Sequence, residues 1–327
     1  MMSQIPVIDI APLLNGGPEG ERAVASEIGR ASRERGFFYI ANHGVPTSLR
    51  AELFDAAATF FAQPDQAKQA VSFFKSPHNR GYVPIEGETL DPSLRPDAKE
   101  AYNIGRELAA DDVDLLAGTP FHGLNQWPDL PGFRDTTLAY FTAMQRLGEK
   151  LHRAFAIDLG LAPDYFLPFI DRPIATLRLL HYPPHPGSFD GSQYGASPHT
   201  DYGNLTLLAQ DDVGGLEVKE RDGGWIDAVP MDGTLVCNIG DCLMRWSNDV
   251  YVSTPHRVVN RGGAERFSAA FFFDTNADAL VSCLPTCRSD ERPPRYAPVN
   301  GADYLRSRLE RTYKEGFVTL TGKSGSE

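Results

Sequence analysis

The chain changes its grammar near Ile174. From there to Asp274, seven short β-rich runs alternate with turns: "ATLRLLHYPP", "LTLLAQ", "GLEVKE", "GWIDAV", "TLVCNIG", "HRVVNR" and "RFSAAFFFD". Many short strands at regular spacing restrict this half to a sandwich or barrel. The "RDGG" between two of the runs is a hairpin signal. The half before it reads mostly helical, with short strands at "VIDI" and "FFYIANHG". "ERAVASEIGRASRERG" has helical spacing and stops at Gly36, "SLRAELFDAAATFFAQP" is closed by Pro64, and a long amphipathic helix runs roughly from Phe133 to Leu159. From about Ser76 to Lys99 the chain is irregular and rich in Pro, Gly and Asp, as lids and binding loops often are. "GADYLRSRLERTYKEG" is a helix again. With no repeat and no linker, the expectation is one α+β unit, mainly β with helices. Its parts are about 1–172 mostly helical, about 173–290 a β core, and about 291–327 a helix and tail.

The net charge of -12 argues against nucleic acid or an anionic membrane as a partner. It leaves a small anionic substrate open, because a pocket's local field can oppose the global sign. No apolar run approaches a membrane span, and the N-terminus does not read as a signal peptide. Four cysteines without a C-x-x-C pair read as reduced thiols, so a cytoplasmic chain is expected; the expected state is a monomer or weak homo-oligomer. Cys283 and Cys287 sit around a turn at Pro285, a simpler reading than a zinc site.

In "ASPHTDYGNLTLLAQ", His199 and Asp201 flank one small residue, Thr200. A strand would turn both to one face. Two histidines and one carboxylate on one side, with open positions opposite, suit non-haem Fe(II) and oxygen chemistry. The third ligand should come from another β run, and "STPHRVVNR" offers His256. His78, His122, His152 and His185 read better as surface or hydrogen-bonded residues. Ten residues past His256, Arg266 and Ser268 share a face, and period two adds Ala270, Phe272 and Asp274 to it. Phe267, Phe271 and Phe273 take the other face. A guanidinium entering so apolar a strand needs a partner. That partner is either a protein carboxylate or the carboxylate of a small ligand, with the Ser268 hydroxyl as a second donor.

These motifs occur in a familiar order: "IPVIDI", "GFFYIANHGVP", "NRGY", "LRLLHYPP", "HTDYGNLTLLAQDDVGGLEV", "NIGD", "STPHRVV", "RFSAAFFF". Across nearly its whole length the chain resembles the Fe(II)- and 2-oxoglutarate-dependent oxygenases, in the isopenicillin N synthase-like branch. The resemblance implies a double-stranded β-helix, or jelly roll, buttressed by N-terminal helices and a C-terminal helix. It makes His199, Asp201 and His256 the iron ligands. Arg266 and Ser268 would hold the distal carboxylate of 2-oxoglutarate, with Tyr182 bonding the same co-substrate. Leu180 stands where plant members often carry Asn. Iron, 2-oxoglutarate, Asp201 and Arg266 together carry no net charge. The implied reaction consumes oxygen and 2-oxoglutarate, releases succinate and carbon dioxide, and oxidises a small organic molecule, with hydroxylation as the default outcome. Candidate substrate contacts are Phe272, Tyr102, Asn103, Arg80, Tyr82, Arg178 and Asp274. Three rivals remain. One is a same-fold oxidase that does not use 2-oxoglutarate. The others are a metal-dependent hydrolase, which would leave Arg266 unexplained, and a binding module, which needs no open metal site.

Overall fold

The computed structural model describes residues 4–91, 93–184, 191, 193–260 and 263–312. Its strands are β1 (Val7–Asp9), β2 (Phe37–Ala41), β3 (Gly81–Val83), β4 (Glu100–Gly105), β5 (Pro173–Tyr182), β6 (Ala196–His199) and β7 (Leu205–Gln210). β8 (Leu216–Lys219), β9 (Trp225–Asp227), β10 (Thr234–Ile239), β11 (His256–Val258) and β12 (Arg266–Asn276) follow, then the short pair β13 (Leu280–Val281) and β14 (Val299–Asn300). The helices are α1 (Ala11–Asn15), α2 (Gly17–Glu34), α3 (Thr47–Phe61), α4 (Asp65–Ala70), α5 (Val113–Leu116), α6 (Phe133–Asp158), α7 (Leu167–Ile170), α8 (Asp241–Trp246) and α9 (Gly301–Thr312).

Two sheets make the jelly roll. The large one has the order β1-β2-β10-β7-β12-β5-β4-β3, and the small one β6-β11-β8-β9. β8 and β9 pair antiparallel across the "RDGG" turn. β12 is the spine of the large sheet, antiparallel to β5 on one side and β7 on the other. Its alternation divides two environments. Phe271 and Phe273 face outward into a core shared with α6, where Phe141 meets Phe271 edge-on at 5.0 Å. Helix α6 supplies that core with a stripe of Tyr140, Met144, Leu147, Leu151 and Phe155, the spacing of one helix face. Ser268, Ala270 and Phe272 face inward, toward the small sheet.

In the first 172 residues β1 and β2 lie at the expected "VIDI" and "FFYIANHG". The correction is two further strands, β4 and β3, the latter inside the stretch expected to be irregular, so this part gives the large sheet four strands. β2 pairs with β10 and β4 with β5, so the sheet is built from both halves of the chain. Gly and Pro around Gly81 mask a strand of three residues, too short for its periodicity to be read. Residues 84–91 and 93–99 run outside the sheet, and Glu88, Leu90 and Lys99 among them border the interior cavity. Among the described residues no helix is long and apolar enough to cross a membrane.

Candidate active site

His199 ends β6 and His256 begins β11, and the two are directly opposite in the antiparallel register. Asp201 lies beyond the end of β6, so a bend brings it in rather than strand alternation. The start of α8 holds that bend: Asp241 N donates to Asp201 O at 2.8 Å and Cys242 N to Gly203 O at 3.0 Å. A Cβ at Gly240 would lie 2.2 Å from Gly203 O, so the "NIGD" glycine is what permits this approach.

The three side chains converge. Nε2 of His199 and of His256 lie 3.7 and 3.6 Å from Asp201 Oδ1. One ligand atom from each residue falls within 4.8 Å of the others. Nδ1 of His199 is 2.7 Å from Ser197 O and Nδ1 of His256 is 3.2 Å from Thr254 O. A carbonyl only accepts, so the proton sits on Nδ1 and the Nε2 lone pairs face Asp201. Oδ2 of Asp201 accepts from Thr206 Oγ1 at 2.5 Å and Asn238 Nδ2 at 2.7 Å, which aims Oδ1 at the two rings. Burial, then the facing His256 ring, drives His199 down to about 4, so it is neutral and ready to bind metal. Burial alone would raise the Asp201 carboxyl. The two rings and the bonds from Asn238 and Thr206 outweigh it and hold the group below its usual value. Two imidazoles with Nε2 turned inward and one carboxylate on one side of a cavity fit a divalent first-row metal such as Fe(II), with positions left open.

Arg266 is 1% exposed. Its Nε donates to Gly214 O at 2.6 Å, Nη1 to Ser268 Oγ at 3.2 Å and Nη2 to Gln210 Oε1 at 3.2 Å. The guanidinium lies 4.6 Å from the centre of the Tyr182 ring. All three acceptors are neutral, and among the described residues no carboxylate is in ion-pair contact with it. Asp211, close enough to feel its charge, accepts instead from Phe267 N and Val213 N. A buried cation without a counter-ion calls for an anion. This favours a ligand carboxylate over a protein one and fits 2-oxoglutarate, bordered by Arg266, Ser268 and Tyr182.

The same cavity, about 150 Å³, continues past the metal triad. Of the expected substrate contacts, Phe272, Asn103, Arg178 and Asp274 border it, and Arg80, Tyr82 and Tyr102 do not. The reason is alternation. Tyr102 and Asn103 are neighbours on β4 and point to opposite faces. Tyr102 packs on Phe60 and Phe133 with its hydroxyl on Gln126 O. Tyr82 donates to Glu100 Oε2 at 2.6 Å on that outer face. Arg80 turns back to the carbonyls of His78 and Phe121, filling the space where Gly105 has no side chain. Arg178 meets a protein acid, Glu88, through two bonds of 3.1 Å. Burial, then the Asp201 charge, pushes Asp274 up to about 7.

Sequence reasoning missed Asn79, Glu88 and Lys99 from loops, Thr206 and Asn238 beside Asp201, and Leu305 and Leu309 of α9. Thr206 and Asn238 were findable, as polar residues at inward positions of apolar strands. Helix α9 is fastened by Arg308, whose Nη2 donates to Asp241 Oδ2 at 2.5 Å. His122 bonds two carbonyls and His152 sits in the outer core, as expected of structural histidines, while His185 lies outside the described residues. The four cysteines are free.

Comparison with known proteins agrees with this geometry. The family described as "2OG-Fe(II) oxygenase superfamily" matches residues 173–275, and "non-haem dioxygenase in morphine synthesis N-terminal" matches residues 5–130. The 2-oxoglutarate-Fe(II) type oxidoreductase hxnY of Emericella nidulans is 35% identical, over 94% of this chain and 90% of its own length. A full-length Neurospora crassa protein, solved in complex with α-ketoglutarate and thymine, superposes with a TM-score of 0.83 at 34% identity, covering 94% of this chain and 96% of that one. The dioxygenase for auxin oxidation of rice gives 0.74 at 30% identity, over 94% and 96%.

Proposed function

The chain belongs to the Fe(II)- and 2-oxoglutarate-dependent oxygenases, and on that footing we propose that it hydroxylates a small, uncharged molecule with an amide edge, in the class of cyclic amides that includes thymine. Membership makes it a 2-oxoglutarate-dependent dioxygenase and sets aside the hydrolase, the binding module and the oxidase without 2-oxoglutarate.

The observation that carries the substrate class is Asn103. It is 3% exposed and borders the cavity, its Nδ2 donates to Asn79 Oδ1 at 3.2 Å, and its Oδ1 has no partner. A buried acceptor left open costs about 1–3 kcal/mol unless something donates to it. An N–H of a bound amide would do so. Phe272, on the adjoining row of the inward face, offers a flat apolar wall to a planar ring. The Neurospora crassa complex with thymine supports the choice of class.

His199, Asp201 and His256 would hold the metal, and Arg266 with Ser268 the distal carboxylate of the co-substrate. Bound iron would activate oxygen, the oxidant, with two of the four electrons coming from 2-oxoglutarate, released as succinate and carbon dioxide, and two from the substrate. Thr206 and Asn238 fix the Asp201 carboxylate. Leu305 and Leu309 of α9 keep water from the mouth of the roll, and Phe272 and Asn103 orient the substrate. The test is a comparison of cyclic amides with carbocycles of the same shape. Succinate release should accelerate with the amides only, and Asn103→Leu should raise their KM roughly tenfold or more, the loss of one buried hydrogen bond. Equal acceleration by the carbocycles, or an unchanged KM in Asn103→Leu, would overturn the reading.

A further inference from the structure

Two guanidiniums enter the cavity from the inward face of the large sheet, and the protein treats them oppositely. Arg266 on β12 meets only neutral acceptors. Arg178 on β5 is gripped by Glu88, Nη1 on Oε1 and Nη2 on Oε2, each at 3.1 Å. Glu88 Oε2 also takes Lys99 Nζ at 3.0 Å, and Lys99 reaches Asp97 Oδ2 at 2.5 Å. Glu88, Asp97 and Lys99 are buried, and Arg178 is nearly so. Among these four groups two cations meet two acids.

The acids are not equivalent. Asp97 does not border the cavity, and its Oδ1 is taken by Ser197 N at 2.9 Å and Ser197 Oγ at 2.7 Å. Glu88 does border it, between Lys99 and Arg178. Arg178 is in register with Asn103 on one side and Ala270 on the other. A carboxylate carried by a molecule seated on Asn103 would therefore come within reach of Arg178.

We propose that Glu88 sets the charge a substrate can carry: its carboxylate masks Arg178 and Lys99, so this half of the cavity accepts uncharged polar molecules and excludes carboxylates. The inference rests on assigning that half to the substrate. An incoming carboxylate would have to displace a buried, bidentate partner, whereas a neutral amide displaces nothing. The mask also serves the co-substrate. 2-Oxoglutarate is a dicarboxylate, and with Arg178 covered, Arg266 is the cavity-lining guanidinium, among the described residues, that no carboxylate already grips, and so the one place to bind. Removing the Glu88 charge takes from Arg178 its bidentate acid and from Lys99 one of its two, and that half of the site should then recruit an anion.

The probe is 2-oxoglutarate itself, titrated calorimetrically into the iron-loaded protein without oxygen. Wild type should take up one molecule per chain even at large excess. Glu88→Gln, which keeps the shape and one acceptor oxygen but neither the charge nor the second acceptor, should take up two. Glu88→Asp, which retains the charge, and the double variant Glu88→Gln with Arg178→Met should both return to one. Turnover of Glu88→Gln with an accelerating amide should fall as 2-oxoglutarate is raised past saturation, while wild type holds level. Uptake of two molecules by wild type overturns the proposal without need of any variant, as does uptake of one by Glu88→Gln. If no cyclic amide accelerates wild-type succinate release, the substrate class fails instead, and the stoichiometry still decides the role of Glu88.

Discussion

His199 and His256 face each other across neighbouring antiparallel strands, with ring centroids 4.3 Å apart and both Nδ1 atoms held by main-chain carbonyls. Two rings so placed turn their lone pairs to one point, and Asp201 completes it.

Metal affinity should depend on residues that never touch the ion. Thr206 and Asn238 hold Oδ2 of Asp201. Thr206→Val or Asn238→Ala should each weaken iron binding roughly ten- to hundred-fold, the usual effect of losing an outer partner of a ligand. Asp201→Ala should abolish stoichiometric binding. Competition with a chelator measures both, and wild-type affinity in Asn238→Ala would show that Thr206 alone suffices.

Arg266→Gln should raise the 2-oxoglutarate requirement. A hydrogen bond to a charged group contributes about 1.5–3 kcal/mol, which corresponds to roughly a ten- to hundred-fold rise in Kd. Arg266→Lys should recover part of it, because an ammonium lacks the planar fork. An unchanged KM for 2-oxoglutarate in Arg266→Gln would place the co-substrate elsewhere.

His152 should shape the acid limb of stability. Burial pushes it from 6.5 down to about 4, and its Nδ1 lies 2.8 Å from Gly148 O. Between those values the unfolded chain takes up a proton that the folded chain refuses, so stability falls as pH drops from 6.5 toward 4. The loss is about 3 kcal/mol at about 1.4 kcal/mol per pH unit. Urea unfolding of the metal-free proteins from neutral to acid pH should show a flatter profile in His152→Gln than in wild type. Parallel profiles would mean that other groups carry the acid sensitivity.

Phe272→Ala should uncouple the reaction, lowering the organic product more than succinate. Tyr102→Ala should destabilise the fold by about 3–5 kcal/mol, as large aromatic truncations in a core do. Thermal unfolding and product ratios separate the two, and an uncoupled but stable Tyr102→Ala would return that residue to the substrate wall.

What the sequence disclosed follows from where its residues sit. His199, His256, Arg266, Ser268 and Phe272 lie on or at the ends of strands, where period two and residue type together reveal a face. Asn79, Glu88 and Lys99 lie in connecting segments, and Leu305 on a helix, so their approach depends on packing between distant elements. Tyr102 and Asn103 cannot both meet the substrate, because one strand does not turn two neighbours inward. β3 and β4 are hard to read because the first is three residues long and the second is buried on both faces, which erases polar alternation.

On the proposed reading, this iron and 2-oxoglutarate site oxidises a small uncharged amide. The direct measurement is succinate and oxygenated product, counted together, from wild-type protein given Fe(II), oxygen, 2-oxoglutarate and thymine or a related cyclic amide. The amide should accelerate succinate release and appear one oxygen atom heavier, close to one product per succinate. Succinate release indifferent to every cyclic amide, but accelerated by a carboxylate-bearing compound that is itself oxidised, would contradict it.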